Sequence, residues 1–120
     1  MRAETIDQAI RDLVAIYEDG LRTAREGSRT LVRVNDVELP PDCRPSTTPM
    51  LIVFDPDQPT PIPYVQPGQL LANGRVPRST STQIVGGESW MQFSFNIPWT
   101  EGQSIIRFVT AARQRFAQND

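Results

Sequence analysis

Histidine and lysine are both absent from the 120-residue chain. Without histidine there is no imidazole general base, no Ser-His or Cys-His pair and no histidine metal ligand. A single cysteine, Cys43, excludes an internal disulfide and any cysteine-cluster zinc site. No apolar run approaches the ~20 residues of a membrane span. The amino-terminal residues enter a charged amphipathic pattern with no apolar signal core, so a cytoplasmic protein is expected. Twelve basic residues against fourteen acidic ones give a net charge of −2. That balance offers no general electrostatic grip on nucleic acid. The glycine pairs Asn73-Gly74 and Gly86-Gly87 are isolated, and neither belongs to a phosphate-binding loop. No cofactor and no metal site is expected.

All twelve basic residues are arginine. A GC-rich genome explains this most simply. The sharper explanation is selection against primary amines in a protein that lives beside isopeptide-forming machinery. Length and a 38% hydrophobic share point to one domain over residues 1–120, able to fold without disulfides or metal, and the order of helices and strands read below makes it α+β.

Residues 3–26 are expected to form one helix. Ile6, Ile10, Leu13, Val14, Tyr17 and Leu21 recur at helical spacing, and Gly27 supplies a stop. Residues 30–34 alternate as a strand, Asn35-Asp36 signals a turn or bulge, and Val37–Leu39 continues the pairing. Residues 40–49 are a loop carrying Cys43. Met50–Phe54 is a continuous apolar run, expected as a central strand covered on both faces. Residues 55–68 carry five prolines and read as an ordered extended loop, with Tyr64-Val65 a short edge strand. Residues 75–89 read as a flexible loop. Trp90–Asn96 reads either as a strand or as an irregular packed segment. A last helix is expected over residues 101–117, with Thr100 and Gln103 as a capping box.

Few residues suggest chemistry. Asp55 and Asp57 in a proline-rich turn have the spacing of a cation site or a general base, but Asp beside Pro is more often a turn former. Cys43 is the only thiol, and the neighbouring Arg44 would lower its pKa modestly. Of the aromatic residues Trp90, Phe93, Phe95 and Trp99, Trp99 is expected in the core. Trp90 is open between core and binding hot spot.

The ordered series of elements resembles the ubiquitin-conjugating enzyme (UBC-like) fold. Pro59, Pro61, Pro63, Tyr64 and Val65 stand where that family has its proline-rich stretch before a strand. Gln66-Pro67-Gly68 stands where it has His-Pro-Asn. Asn73-Gly74-Arg75-Val76-Pro77 follows near the distance at which active members place the catalytic cysteine, and Trp99 precedes Ile105 by the family's spacing. Only Pro67 of the triplet survives, the oxyanion-stabilising Asn is Gly68, and the cysteine position is Pro77. The resemblance therefore implies an N-terminal helix, a small antiparallel sheet, a long proline-rich and irregular segment and a C-terminal helix. It is similar to cysteine-lacking bacterial members of the superfamily and implies a non-catalytic module that binds a ubiquitin-like protein or an activating-enzyme-like protein. Cys43, Arg44, Arg75, Arg78 and Trp90 are the partner-binding candidates. Two alternatives stay open: an active conjugating enzyme using Cys43 as a displaced nucleophile, and an unrelated α+β interaction or immunity-type protein.

Overall fold

The structure is a computed structural model and describes residues 1–93 and 97–120. The expected placement of Phe95 and the end of the Trp90–Asn96 segment lie outside the described residues. The architecture is α+β: helix α1 (Ala3–Tyr17), strands β1 (Leu21–Glu26), β2 (Arg29–Glu38), β3 (Thr47–Phe54), β4 (Ile62–Val65), β5 (Ser81–Val85) and β6 (Glu88–Gln92), then helix α2 (Ile105–Gln114). Among the described residues these strands form one sheet in the order β1-β2-β3-β4-β6-β5, with every pairing antiparallel.

Helix α1 is shorter than the sequence pattern predicts. It buries Ile6, Ala9 and Leu13 and stops after Tyr17, where Glu18 takes a positive φ of 48°. A single 3-10 turn follows at Glu18–Gly20. Leu21 keeps helical spacing by coincidence; it pairs with Val34 as the first residue of β1. Gly27 is therefore not a helix stop. At φ +62° it opens the tight turn between Glu26 and Arg29, for which glycine is suited.

Strand β2 carries the irregularity that Asn35-Asp36 announces. The pairing passes from Val34↔Met50 to Val37↔Thr48, three steps along β2 against two along β3. The extra residue is a β-bulge, and it lets both Val34 and Val37 face the same core although they are an odd number of residues apart. Strand β3 is central and covered on both faces. Met50, Ile52 and Phe54 join Leu13, Phe108 and Phe116 in the helix-side core, while Leu51 and Val53 join Leu31, Tyr64, Val85 and Trp90 on the opposite face. Strand β4 is longer than expected and is not an edge. It pairs with β3 along its length and with β6 only from Tyr64 onward. Among the described residues Pro63, which has no N–H to give, pairs with β3 alone.

The stretch 75–89 is the main correction. It contains β5 and the tight turn to β6, with Gly86 at φ +59° and Gly87 at φ +83°. Two successive positive φ values are what a two-residue hairpin of matching twist demands. Neighbouring strands rotate by roughly 20–25° each on average, which over the four to five steps from β1 accumulates to roughly 80–125° at the β5–β6 hairpin. Its tip crosses the face away from the helices. There the Gly86 N–H donates to Glu26 Oε2 at 2.7 Å and Glu88 pairs with Arg33 at 3.3 Å. A Cβ at Gly86 would sit 3.2 Å from the Leu31 side chain.

Helix α2 begins four residues later than expected. Ser104 caps it, its hydroxyl accepting from the Ile106 N–H at 3.2 Å. Thr100 and Gln103 do make reciprocal contacts, but they close the preceding turn. Gly102, at φ +101°, keeps that turn out of the helix. Trp99 is in the core, as expected; its indole N–H donates to Ser104 O at 3.0 Å and its ring meets Phe108 edge-on.

The same turn supplies a contact that no local pattern shows. The N-cap of α1 is Arg2, which has no capping side chain. Glu101 Oε2 takes that place from across the chain, accepting from the Arg2 N–H at 2.9 Å and from Thr5 Oγ1 at 2.5 Å. These bonds, the Thr5 hydroxyl foremost, hold the Glu101 carboxyl down to about 2. A carboxylate depressed in the folded state stabilises above its ordinary value of 4.5 and loses that contribution as pH falls toward about 2. Denaturant midpoints followed from pH 6 down to about pH 2 should therefore fall more steeply for the wild type than for Glu101→Gln. Parallel curves would show that the carboxylate does not clamp the helix.

Candidate functional site

Two connections and the end of α2 meet at one end of the sheet. The β2–β3 connection is closed by the Leu39 N–H donating to Ser46 O at 2.9 Å. The β4–β5 connection lies against it: the Leu70 N–H donates to Arg44 O at 3.1 Å, and Gln69 Nε2 donates to Pro45 O at 2.9 Å. The turn after α2 joins through one carbonyl, Phe116 O, which accepts from the Ala72 N–H at 2.8 Å and from Cys43 Sγ at 3.6 Å. Each connection thus borrows backbone partners from another, as a loop must when its polar groups leave the sheet ladder.

Within this frame the sequence candidates separate by exposure. Gln66, Pro67 and Gly68 are exposed, and Gly68 holds φ +90°. That conformation suits glycine better than any residue with a Cβ. The segment from Asn73 to Arg78 is a second rigid turn. The Leu71 N–H donates to Arg75 O, the Gly74 N–H to Leu71 O, and the Arg75 N–H to Asn73 Oδ1. Gly74 bends it at φ +82°. The turn leaves Val76 67% exposed and buries Pro77.

The charges here are already partly engaged. Asp120 Oδ2 accepts from the Arg78 N–H at 2.6 Å and from Arg115 Nη2 at 2.7 Å, while Arg75 Nη1 donates to the Asp120 carbonyl at 3.0 Å. The Arg115 hydrogen bonds, then the Arg78 amide, hold the Asp120 carboxyl below its ordinary range. Among the described residues, the guanidinium groups of Arg44 and Arg78 make no hydrogen bond or ion pair.

Cys43 does not sit as a nucleophile would. It is 3% exposed and belongs to the helix-side core. Burial, and then the neighbouring Asp42, push its thiol above the ordinary value. The modest lowering expected from Arg44 is therefore corrected: Arg44 is exposed and turned to solvent, and desolvation governs the thiol. As a partner contact, too, Cys43 is buried beneath the loop that was expected to present it.

Trp90 lies elsewhere. It is buried on the opposite face of the sheet, with Arg33 stacked over its ring at 5.5 Å. The structure thus brings together Cys43, Arg44, Gln66, Pro67, Gly68, Gly74, Arg75, Pro77 and Arg78, and separates Trp90 from them. Asp55 and Asp57 resolve as a turn, with Asp55 Oδ1 accepting from the Asp57 N–H at 2.9 Å. Among the described residues no three His, Cys, Asp or Glu side chains gather as metal ligands, and no helix is long and apolar enough to cross a membrane. Sequence reasoning missed Gln69, a buried amide that ties the two connections together, and Asp120, which gathers three arginines. Neither carries a local signal, because both act through contacts distant in the chain.

If the thiol is shielded in this way, Cys43 should resist an aromatic disulfide reagent at pH 8 in the native protein and react at once in denaturant. Fast native modification would place it at the surface. Cys43→Ala should cost about 1–2 kcal/mol in denaturant unfolding, the range for removing a small buried group.

No protein-family model matches the chain, and neither the curated proteins nor the solved structures contain a match to it.

Proposed function

We propose that the chain is a non-catalytic module of the UBC-like type that binds a ubiquitin-like protein, or an activating-enzyme-like partner that handles one, through its loop end. The observation that carries this reading is the turn from Asn73 to Arg78. It is held by hydrogen bonds to Leu71 and Asn73, it presents Val76 between Arg75 and Arg78, and it buries a proline where the resemblance places a nucleophile. An exposed aliphatic side chain on a rigid loop is a favourable contact waiting for cover, worth roughly 1.5–3 kcal/mol when a partner buries it fully. The surrounding arginines select an acidic rim on that partner and make binding fall with salt.

The order of an N-terminal helix, an antiparallel sheet and a C-terminal helix also supports the reading, while the burial of Cys43 weighs against the conjugating-enzyme alternative. Acyl transfer through a thiol needs a thiolate within reach of the activated carbonyl, and here the thiol faces a backbone oxygen inside the core.

The test mixes the protein with a ubiquitin-like protein and an activating enzyme encoded beside it, followed by size exclusion and non-reducing gels. Co-elution without a reductant-sensitive adduct is expected, and Val76→Asp should weaken it about tenfold or more, equivalent to about 1.4 kcal/mol. An adduct lost in Cys43→Ala would restore the displaced-nucleophile reading. Failure to co-elute would move the protein to the unrelated interaction class.

A further inference from the structure

The face of the sheet away from the helices is not fully closed by the β5–β6 hairpin. A cleft of about 260 Å³ remains between the hairpin and the β1–β2 edge. Its floor is Leu31 and Leu51, one wall is Trp90, and Arg22, Arg33 and Glu88 stand at its mouth.

The charge arrangement is unbalanced. Arg22 and Arg33 are direct cross-strand partners, so two guanidinium groups share one side of the sheet at neighbouring positions. Like charges in that relation repel. Glu88 is the one carboxylate at the mouth, and it reaches only Arg33, at 3.3 Å through Nη1. Glu26, farther along β1, is taken by Arg29 at 2.8 Å and by the Gly86 N–H. Arg22 forms no ion pair among the described residues. The Arg33 guanidinium lies over the Trp90 ring, 5.5 Å from its centroid, and its Nε is buried away from solvent. Glu88 engages Nη1, and Nη2 makes no hydrogen bond among the described residues, which leaves Nη2 as the Arg33 donor open to an incoming carboxylate beside Arg22.

We propose that this cleft is a binding site for a carboxylate borne on a short apolar stem, its oxygens shared between Arg22 and the free Nη2 of Arg33, its stem on Leu31, Leu51 and Trp90. The volume equals about nine water molecules, enough for a stem of a few carbons and too small for a folded partner. The same chemistry is presented by a free short-chain acid and by the last residue of an extended peptide. The site does not rest on the module reading above, since it lies on a different surface and uses none of the loop-end residues.

The two tryptophans provide the readout. The Trp90 ring lines the cleft, whereas the indole N–H of Trp99 is bonded to Ser104 O in the other core and serves as an internal control. Hexanoate titrated into ¹⁵N-labelled full chain should shift the Trp90 indole signal saturably and leave Trp99 in place. Hexanamide, of the same shape without the charge, should not. Arg22 is exposed, so Arg22→Gln should keep the melting temperature and weaken hexanoate about fivefold. A short acetylated peptide ending in leucine, compared with its amidated form, separates the sources. Tighter binding than hexanoate by the acid form assigns a chain terminus, and weaker binding assigns a free small acid. Equal shifts from hexanoate and hexanamide, or an Arg22→Gln titration that matches the wild type, would overturn the site.

Discussion

Burial of β3 on both faces is the constraint from which the rest of the molecule follows. Met50, Ile52 and Phe54 point to the helices, and Leu51 and Val53 point the other way. A strand of this composition cannot leave either side wet, because each buried large aliphatic or aromatic side chain is worth roughly 1.5–3 kcal/mol. One side is met conventionally by two amphipathic helices. The other side has no helix to cover it, and the sheet must supply its own cover. The β5–β6 hairpin does this by twist, carrying Val85 and Trp90 over Leu31, Leu51 and Tyr64.

That solution decides where a partner can sit. A four-stranded meander with one bare face would offer a broad sheet surface for binding. Here the bare face is largely spent on the hairpin, leaving only a small charged cleft. The connections at the other end are different in kind. They are fixed by hydrogen bonds from loop to loop and from loop to the end of α2, so they present exposed side chains without having to order on binding. Preorganisation of that sort lowers the entropy cost of association, which is the physical reason for placing the proposed interface at the loop end.

Much of the fold was legible wherever a single face was being buried. The Met50–Phe54 run, the bulge at Asn35-Asp36 and the Trp99 anchor all follow from side-chain pattern alone. The pattern failed where two periods agree by chance, as at Leu21, which fits a helix stripe and a strand equally well. It failed again at Ser81–Val85, an edge strand whose side chains are mostly exposed and so carry no hydrophobic alternation. There the Gly86-Gly87 pair was the stronger signal, since two left-handed residues between paired positions specify a hairpin. The candidate site was legible as a set of loops but not as an assembly. Nothing local to Phe116 announces that its carbonyl will hold both Cys43 and Ala72.

The all-arginine composition gains a physical meaning at some positions and none at others. Arg33 lies over the Trp90 ring while donating through Nη1 to Glu88, and Arg115 grips both oxygens of Asp120 while reaching the Arg78 carbonyl. A lysine has one point of charge and could not make either set of contacts. Arg25 and Arg107, by contrast, are exposed and make no such contacts among the described residues. Geometry therefore demands arginine at a few sites only. The absence of lysine at the rest is a property of the whole sequence, set by codon usage or by selection against amines, and its origin lies outside what packing requires.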